Sequence, residues 1–202
     1  MIRSTPKIFT TSALFGVHLY NLFLVVPLIL ALMAISLFKL SLFTLLLPLA
    51  TLAATAYVLP FGIGNALIRR LAARIDSQAA CDPNAFIVQI RLHPRLQTGL
   101  RALIEDADDI GILSVEADGI RFTGDSLHIS LPFTGISEIH PHNVGIRGRF
   151  LYGQTTKIST NALEGFTAME FSERSSLVLP ESRRISKALA ARLLAATGFK
   201  AR

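Results

Sequence analysis

Three observations predict an α+β chain in two parts: a transmembrane helical hairpin, then a small antiparallel β-barrel or sandwich closed by a C-terminal helix. Residues Leu14 to Ile63 carry one charged side chain, Lys39, among Leu, Val, Ile, Phe and Ala. From Ile110 onward the apolar positions recur with period two in short runs broken by turn residues. After Pro180 they recur at helical spacing.

An apolar run of about 20 residues crosses a bilayer at a rise of about 1.5 Å per residue. The apolar stretch is long enough for two such runs and a tight turn, and Lys39 with Ser41 is the place for the turn. Val17 to Phe38 reads as the first span and Leu40 to Phe61 as the second. The length of the run and its continuation into another argue against a cleaved signal peptide, although Arg3 and Lys7 precede it. Arg3 and Lys7 lie before the hairpin and Arg69, Arg70 and Arg74 after it, so the distribution of basic residues puts both termini in the cytoplasm. The expected location is the cell (inner) membrane, as a multi-pass protein. His18 and Asn21 share a helical face near the cytoplasmic end of the first span, where an interfacial anchor or a proton relay are both open readings. Pro27, Pro48 and Pro60 are candidate kinks.

Residues 64 to 109 read as a juxtamembrane helix and connector. Leu67, Ile68, Leu71 and Ile75 fall at helical spacing, with Arg69, Arg70 and Arg74 elsewhere on the wheel. These three arginines are the candidate contacts to the anionic membrane surface, either from an amphipathic helix lying on it or from a cytoplasmic extension of the second span. Cys81 has no second cysteine to pair with, and the segment around it ends in the loop signal Asp82-Pro83-Asn84. Phe86 to Leu92 alternates as a strand would, and Leu96 to Leu103 suits a short helix. Glu105-Asp106-Ala107-Asp108-Asp109 places four carboxylates in five residues. It lacks the alternating oxygen ligands and the glycine of a calcium loop, so it reads as a solvated acidic turn.

Residues 110 to 202 form the last unit. Strands are expected at Ile110–Glu116, Gly119–Thr123 and Ser126–Leu131, with Ala117-Asp118-Gly119 and Gly124-Asp125 as turns. Further strands are expected at Ile136–Ile139, Val144–Tyr152, Thr155–Ser159, Thr167–Ser172 and Ser176–Leu179. Strands this short and frequent favour a sandwich or a partly open barrel. In the closing helix Ile185, Leu189, Leu193 and Ala196 make an apolar stripe, Glu181 sits in the first turn and Gly198 offers a stop.

The hairpin, the strand-turn-strand Val115-Glu116-Ala117-Asp118-Gly119-Ile120, the run Leu131-Pro132-Phe133-Thr134-Gly135-Ile136 and the entry Leu177-Val178-Leu179-Pro180 into the last helix together resemble the bacterial PH-like membrane proteins of the YcxB-like type. The resemblance implies a cytoplasmic PH-like domain, a β-barrel capped by one helix and carried on a membrane hairpin. PH-like domains read lipids or peptides or serve in assembly. In lipid readers of that family basic residues of the first strand turn hold the phosphoinositide, whereas this turn carries Glu116 and Asp118.

The chain has no phosphate-binding glycine loop, no G-x-S-x-G elbow and no Cys/His zinc pattern, so no catalytic residue, cofactor or metal is expected. His140-Pro141-His142 offers two imidazoles without an evident third ligand. The net charge of +6 gathers beside the membrane segment and the last helix rather than in an aromatic-interleaved sheet, which argues against nucleic acid. Arg147 and Arg149 share a face of their expected strand and are candidate partner-binding residues, for an acidic protein or a headgroup, or else solvated. Two functions are expected from these features. The first is a membrane-anchored, non-catalytic binding or assembly module with an unidentified membrane or cytoplasmic protein as partner. The alternative is an accessory subunit or oligomeric transporter component built on the hairpin, and homo-oligomers suit either.

Overall fold

A computed structural model describes residues 2–3, 26–38, 46, 49–50, 62–82, 84–96, 98, 107–142 and 154–199. The sheet strands are β1 (Ile2–Arg3), β2 (Ala85–His93), β3 (Asp109–Val115), β4 (Gly119–Gly124), β5 (Leu127–Pro132), β6 (Ile136–His142), β7 (Thr155–Thr160) and β8 (Ala168–Glu173). The helices are α1 (Val26–Phe38), α2 (Gly62–Ile75), α3 (Ser77–Cys81) and α4 (Leu179–Thr197).

Strands β2 to β8 form one curled antiparallel half-barrel in the order β5-β4-β3-β2-β8-β7-β6. Two meanders, β2 to β5 and β6 to β8, are joined where β2 pairs with β8. Arg91 stands opposite Glu170 there, and Ile90 opposite Phe171. The two-residue β1 extends the β5 edge, with Ile2 opposite His128 and Arg3 opposite Leu127. Strand β2, which its alternation places in the connector, thus lies in the middle of the sheet. Its apolar residues occupy both faces because both faces are covered.

The inner face gathers Val88, Ile90, Leu92, Leu113, Phe122, Ile129, Ile158, Met169 and Phe171, and α4 closes over it with Leu189 and Leu193. The rings of Phe122 and Phe171 meet at 6.2 Å between centroids, tilted by 49°. This is a favourable geometry for aromatic quadrupoles. Between β3 and β4 the backbones approach so closely that a Cβ on Gly111 would stand 2.2 Å from the carbonyl oxygen of Thr123, so only glycine fits there. The outer face is covered at β2 and β3 by α2, whose Ile68, Leu71 and Ala72 pack on Ile87, Ile110 and Ile112. The apolar stripe of α2 is therefore spent on the sheet, and Arg69, Arg70 and Arg74 are exposed.

Helix α4 starts with Pro180 in its first turn and ends at Gly198, whose φ of 73° is left-handed and whose N–H donates to Leu194 O at 2.9 Å. Its buried face differs from the expected stripe. Ser182 and Ser186 are buried with Leu189, Ala190 and Leu193, while Ile185 is half-buried and Ala196 exposed. The expected strand at Ser176–Leu179 is instead a turn running into α4, and its first backbone donor, Ser176 N, goes to a carboxyl group, as described below. His140, Pro141 and His142 continue β6 beyond the expected strand end at Ile139. A proline is accommodated because β6 is the edge of the sheet among the described residues.

The acidic run also departs from expectation. Asp108 and Asp109 are 7% and 1% exposed. Asp108 accepts the N–H groups of Leu92 (2.7 Å) and Leu96 (3.2 Å), and Asp109 accepts those of Ser126 (2.9 Å) and Leu127 (2.8 Å). Backbone donors at strand ends that no ladder can satisfy need such acceptors, and here two carboxyl groups supply them. Burial raises the Asp109 pKa to about 6, against the lowering effect of its backbone hydrogen bonds.

The proposed hairpin falls largely outside the described residues, as do His18, Asn21, Lys39, Ser41, Pro48 and Pro60. Among the described residues no helix is long and apolar enough to cross a membrane. Helix α1 has 13 residues, Ser36 is its one polar side chain, and Ile29, Leu30, Leu32, Met33 and Leu37 are 48% to 72% exposed.

Candidate functional site

A cleft of about 480 Å³ opens where the two apolar clusters meet, at the start of β2. Arg69 of α2 and Ala80 of α3 form one wall, and Glu181, Arg184, Ile185 and Ala188 of α4 form the other. Ala85, Phe86 and Ile87 of β2 lie between them, with Ser175 and Leu177 of the turn before α4 at one end.

Each wall is fixed by side chains with a specific task. Asp76 accepts from Gln78 N (3.0 Å) and Ala79 N (2.9 Å), capping α3 so that the chain turns sharply after α2. Asn65, fully buried, donates from Nδ2 to Ser176 O at 2.7 Å and ties the first turns of α2 to the turn before α4. That turn is organised by Glu173, which is 2% exposed. Its Oε1 accepts from Ser175 N, Ser175 Oγ (2.5 Å) and Ser176 N (2.7 Å), and its Oε2 from Ser176 Oγ (2.9 Å). On the far side Arg192 donates to Asn84 O (3.3 Å) and Asn84 Oδ1 (3.0 Å), holding α4 to the turn that enters β2.

The lining is amphipathic. Phe86, Ile87, Ile185 and the alanines are apolar, whereas Arg69 and Arg184 bring two guanidinium groups and Glu181 one carboxylate. Among the described residues none of these three charged groups forms an ion pair. Arg121, by contrast, is engaged with Glu116 at 2.9 Å. Leu177, beside the cleft, is 41% exposed. Such a site suits a ligand with an anionic end and an apolar body.

A second polar cluster lies on the outer face of β2, β8, β7 and β6. Glu170 Oε1 is 2.9 Å from His93 Nε2 and 3.9 Å from His142 Nε2, and Glu170 Oε2 is 3.9 Å from Arg91. His93 Nε2 makes no hydrogen bond here, so its contact with Glu170 is one of charge and proximity. His140 approaches Glu138 at 3.3 Å. Among the described residues no three His, Cys, Asp or Glu side chains are grouped to hold a metal ion.

Of the residues singled out in the sequence, Arg69 lines the cleft, while Arg70 and Arg74 are exposed on α2 away from its lining. Arg147 and Arg149 lie outside the described residues. Phe86, Ser175, Leu177, Glu181, Arg184 and Ile185 are site residues that sequence reasoning missed. One sign was available: Arg184 and Ile185 are adjacent in a helix whose next turns are apolar on one side. No family model matches the chain, and no curated protein matches it.

Proposed function

We propose that the chain is a membrane-anchored, non-catalytic binding or assembly module, whose curled sheet is a PH-like domain held against the cytoplasmic surface of the cell membrane by an N-terminal hairpin. The observation that carries this reading is the pairing of β1 with β5. Residues 2–3 lie on the same sheet that α2 packs against, so the apolar stretch between them leaves the domain and returns to it. A stretch that returns crosses a bilayer an even number of times, and its length fits two crossings. The exposed Leu, Ile and Met side chains of α1 also support the reading, since an apolar surface of that kind is costly in water and at home in lipid. An antiparallel curled sheet capped by one helix is the arrangement that the PH-like resemblance implies. Arg69, Arg70 and Arg74 then sit within about 17 Å of the end of the apolar stretch, along a helix rising about 1.5 Å per residue, and face anionic headgroups.

Alkaline carbonate washing of membranes from cells making the full chain tests the anchor. The chain is expected to stay in the membrane pellet, as an inserted protein does. Its release into the wash would overturn the proposal.

A further inference from the structure

We propose that the cleft between α2 and α4 binds one anionic membrane lipid, with its phosphate between Arg69 and Arg184 and an acyl chain along Phe86, Ile87 and Ile185. The inference rests on the membrane-anchored reading above and assigns that module a ligand.

Three features of the cleft point to a lipid. The first is position. Asn65, two residues beyond the apolar stretch, is hydrogen-bonded to Ser176, which lies between the cleft residues Ser175 and Leu177. Arg69 follows Ile63 by six residues, about 9 Å along the helix. The cleft therefore opens near the point where the chain leaves the bilayer. The second is charge. Two guanidinium groups that have no ion-pair partner among the described residues border the cleft, and Glu181 on the α4 wall pairs with neither. Guanidinium groups form strong bidentate contacts with phosphate, and the carboxylate can accept from a headgroup hydroxyl or ammonium. The third is the apolar lining with the half-exposed Leu177 beside it, which offers an acyl chain a path that a free phosphate or a sugar phosphate would leave uncovered.

This site differs from the phosphoinositide turn of the lipid readers in the PH-like family. The corresponding turn here, between β3 and β4, carries Glu116 and Asp118, and Glu116 is paired with Arg121. The lipid would instead be held by two helices and the beginning of β2.

The test uses the full chain, purified in a nonionic detergent and stripped of lipid, with dioleoyl phosphatidylglycerol added and bound lipid counted by native mass spectrometry. Dioleoyl phosphatidylcholine and glycerol 3-phosphate are the comparison ligands. One phosphatidylglycerol per chain is expected, retained at least about tenfold more strongly than either, because phosphatidylcholine offsets its phosphate with a choline ammonium beside the two guanidinium groups and glycerol 3-phosphate has no acyl chain to cover the apolar wall. In the R69Q/R184Q double variant that preference is expected to fall about tenfold. The R183Q/K187Q variant loses the same charge from exposed positions of α4 outside the cleft lining and is expected to change it by less than about twofold, as surface charge alone contributes little once salt screens it. Ile185→Asn gives a second loss, at the apolar wall, with the charge of the cleft unchanged.

Equal losses in R69Q/R184Q and R183Q/K187Q would reduce the effect to surface electrostatics and overturn the site. Equal retention of glycerol 3-phosphate would overturn the lipid as ligand. Both double variants must remain in the carbonate-washed membrane pellet. Loss of lipid preference with the anchor intact is thereby separated from failure of the membrane reading itself.

Discussion

Replacing Glu173 with alanine is expected to lower the stability of the folded domain by about 3 kcal/mol, because it leaves buried backbone donors without acceptors. One carboxyl group accepts four hydrogen bonds from Ser175 and Ser176, two of them from backbone N–H groups. Ser176 is 3% exposed, so water is poorly placed to replace what is lost. The same turn holds Ser176 O toward Asn65 and carries Ser175 and Leu177 of the cleft. The damage should therefore reach the site as well as the fold. Urea unfolding of the purified full chain in detergent, followed by far-ultraviolet circular dichroism, measures the first effect. A loss under about 1 kcal/mol would mean that the turn holds itself together without the carboxyl group. Glu173→Gln keeps one acceptor oxygen and should fall between alanine and wild type.

The second large effect is one of pH. Asp109 ionises near 6 in the folded chain and near 3.8 when exposed, chiefly because burial disfavours its charged form. Between those values the folded state holds a proton that the unfolded state has released. Stability from this group is therefore fully present below about 3.8 and is lost as pH rises through about 6. Going from pH 7.5 to pH 4.5, the wild type should gain about 2 kcal/mol relative to Asp109→Asn. The variant has an amide oxygen for Ser126 N and Leu127 N but no proton to bind. Taking the difference between the two proteins cancels the titration of every carboxylate that does not interact with Asp109, which leaves Asp125 as the coupled exception. A wild-type advantage that does not grow on acidification would show that the carboxyl group stays ionised in its buried setting.

Much of the sheet is legible because period two and turn chemistry agree. Leu127, Ile129 and Leu131 alternate with His128 and Ser130, and β5 runs from Leu127 to Pro132 as that pattern requires. Pro180 and Gly198 mark the ends of α4 for equally local reasons, a fixed φ and a left-handed φ. Where a residue's partner is distant in sequence, pattern fails. Asp108 and Asp109 look like surface charge until Leu92, Leu96, Ser126 and Leu127 are seen to point their N–H groups at them. Ser176-Leu177-Val178-Leu179 has the alternation of a strand, but the Glu173 carboxyl group captures its first backbone donor before a ladder forms. The cleft was hidden for the same reason. It joins α2 to the turn before α4, and the hydrogen bond that fixes them together spans 111 residues. Arg69 is distinguished from Arg70 and Arg74 only by that tertiary packing.

On the proposed reading the domain lies on the cytoplasmic side, reached by a chain that leaves the sheet at β1 and returns at α2. Cys81 tests it without any substitution, since it is the chain's one cysteine and is exposed on α3. A membrane-impermeant maleimide should label it in inside-out membrane vesicles and leave it unlabelled in right-side-out vesicles until detergent is added. A Ser41→Cys probe in a Cys81→Ser chain should show the opposite pattern. Labelling of Cys81 in sealed right-side-out vesicles would place the sheet and its cleft on the outer side and contradict the account.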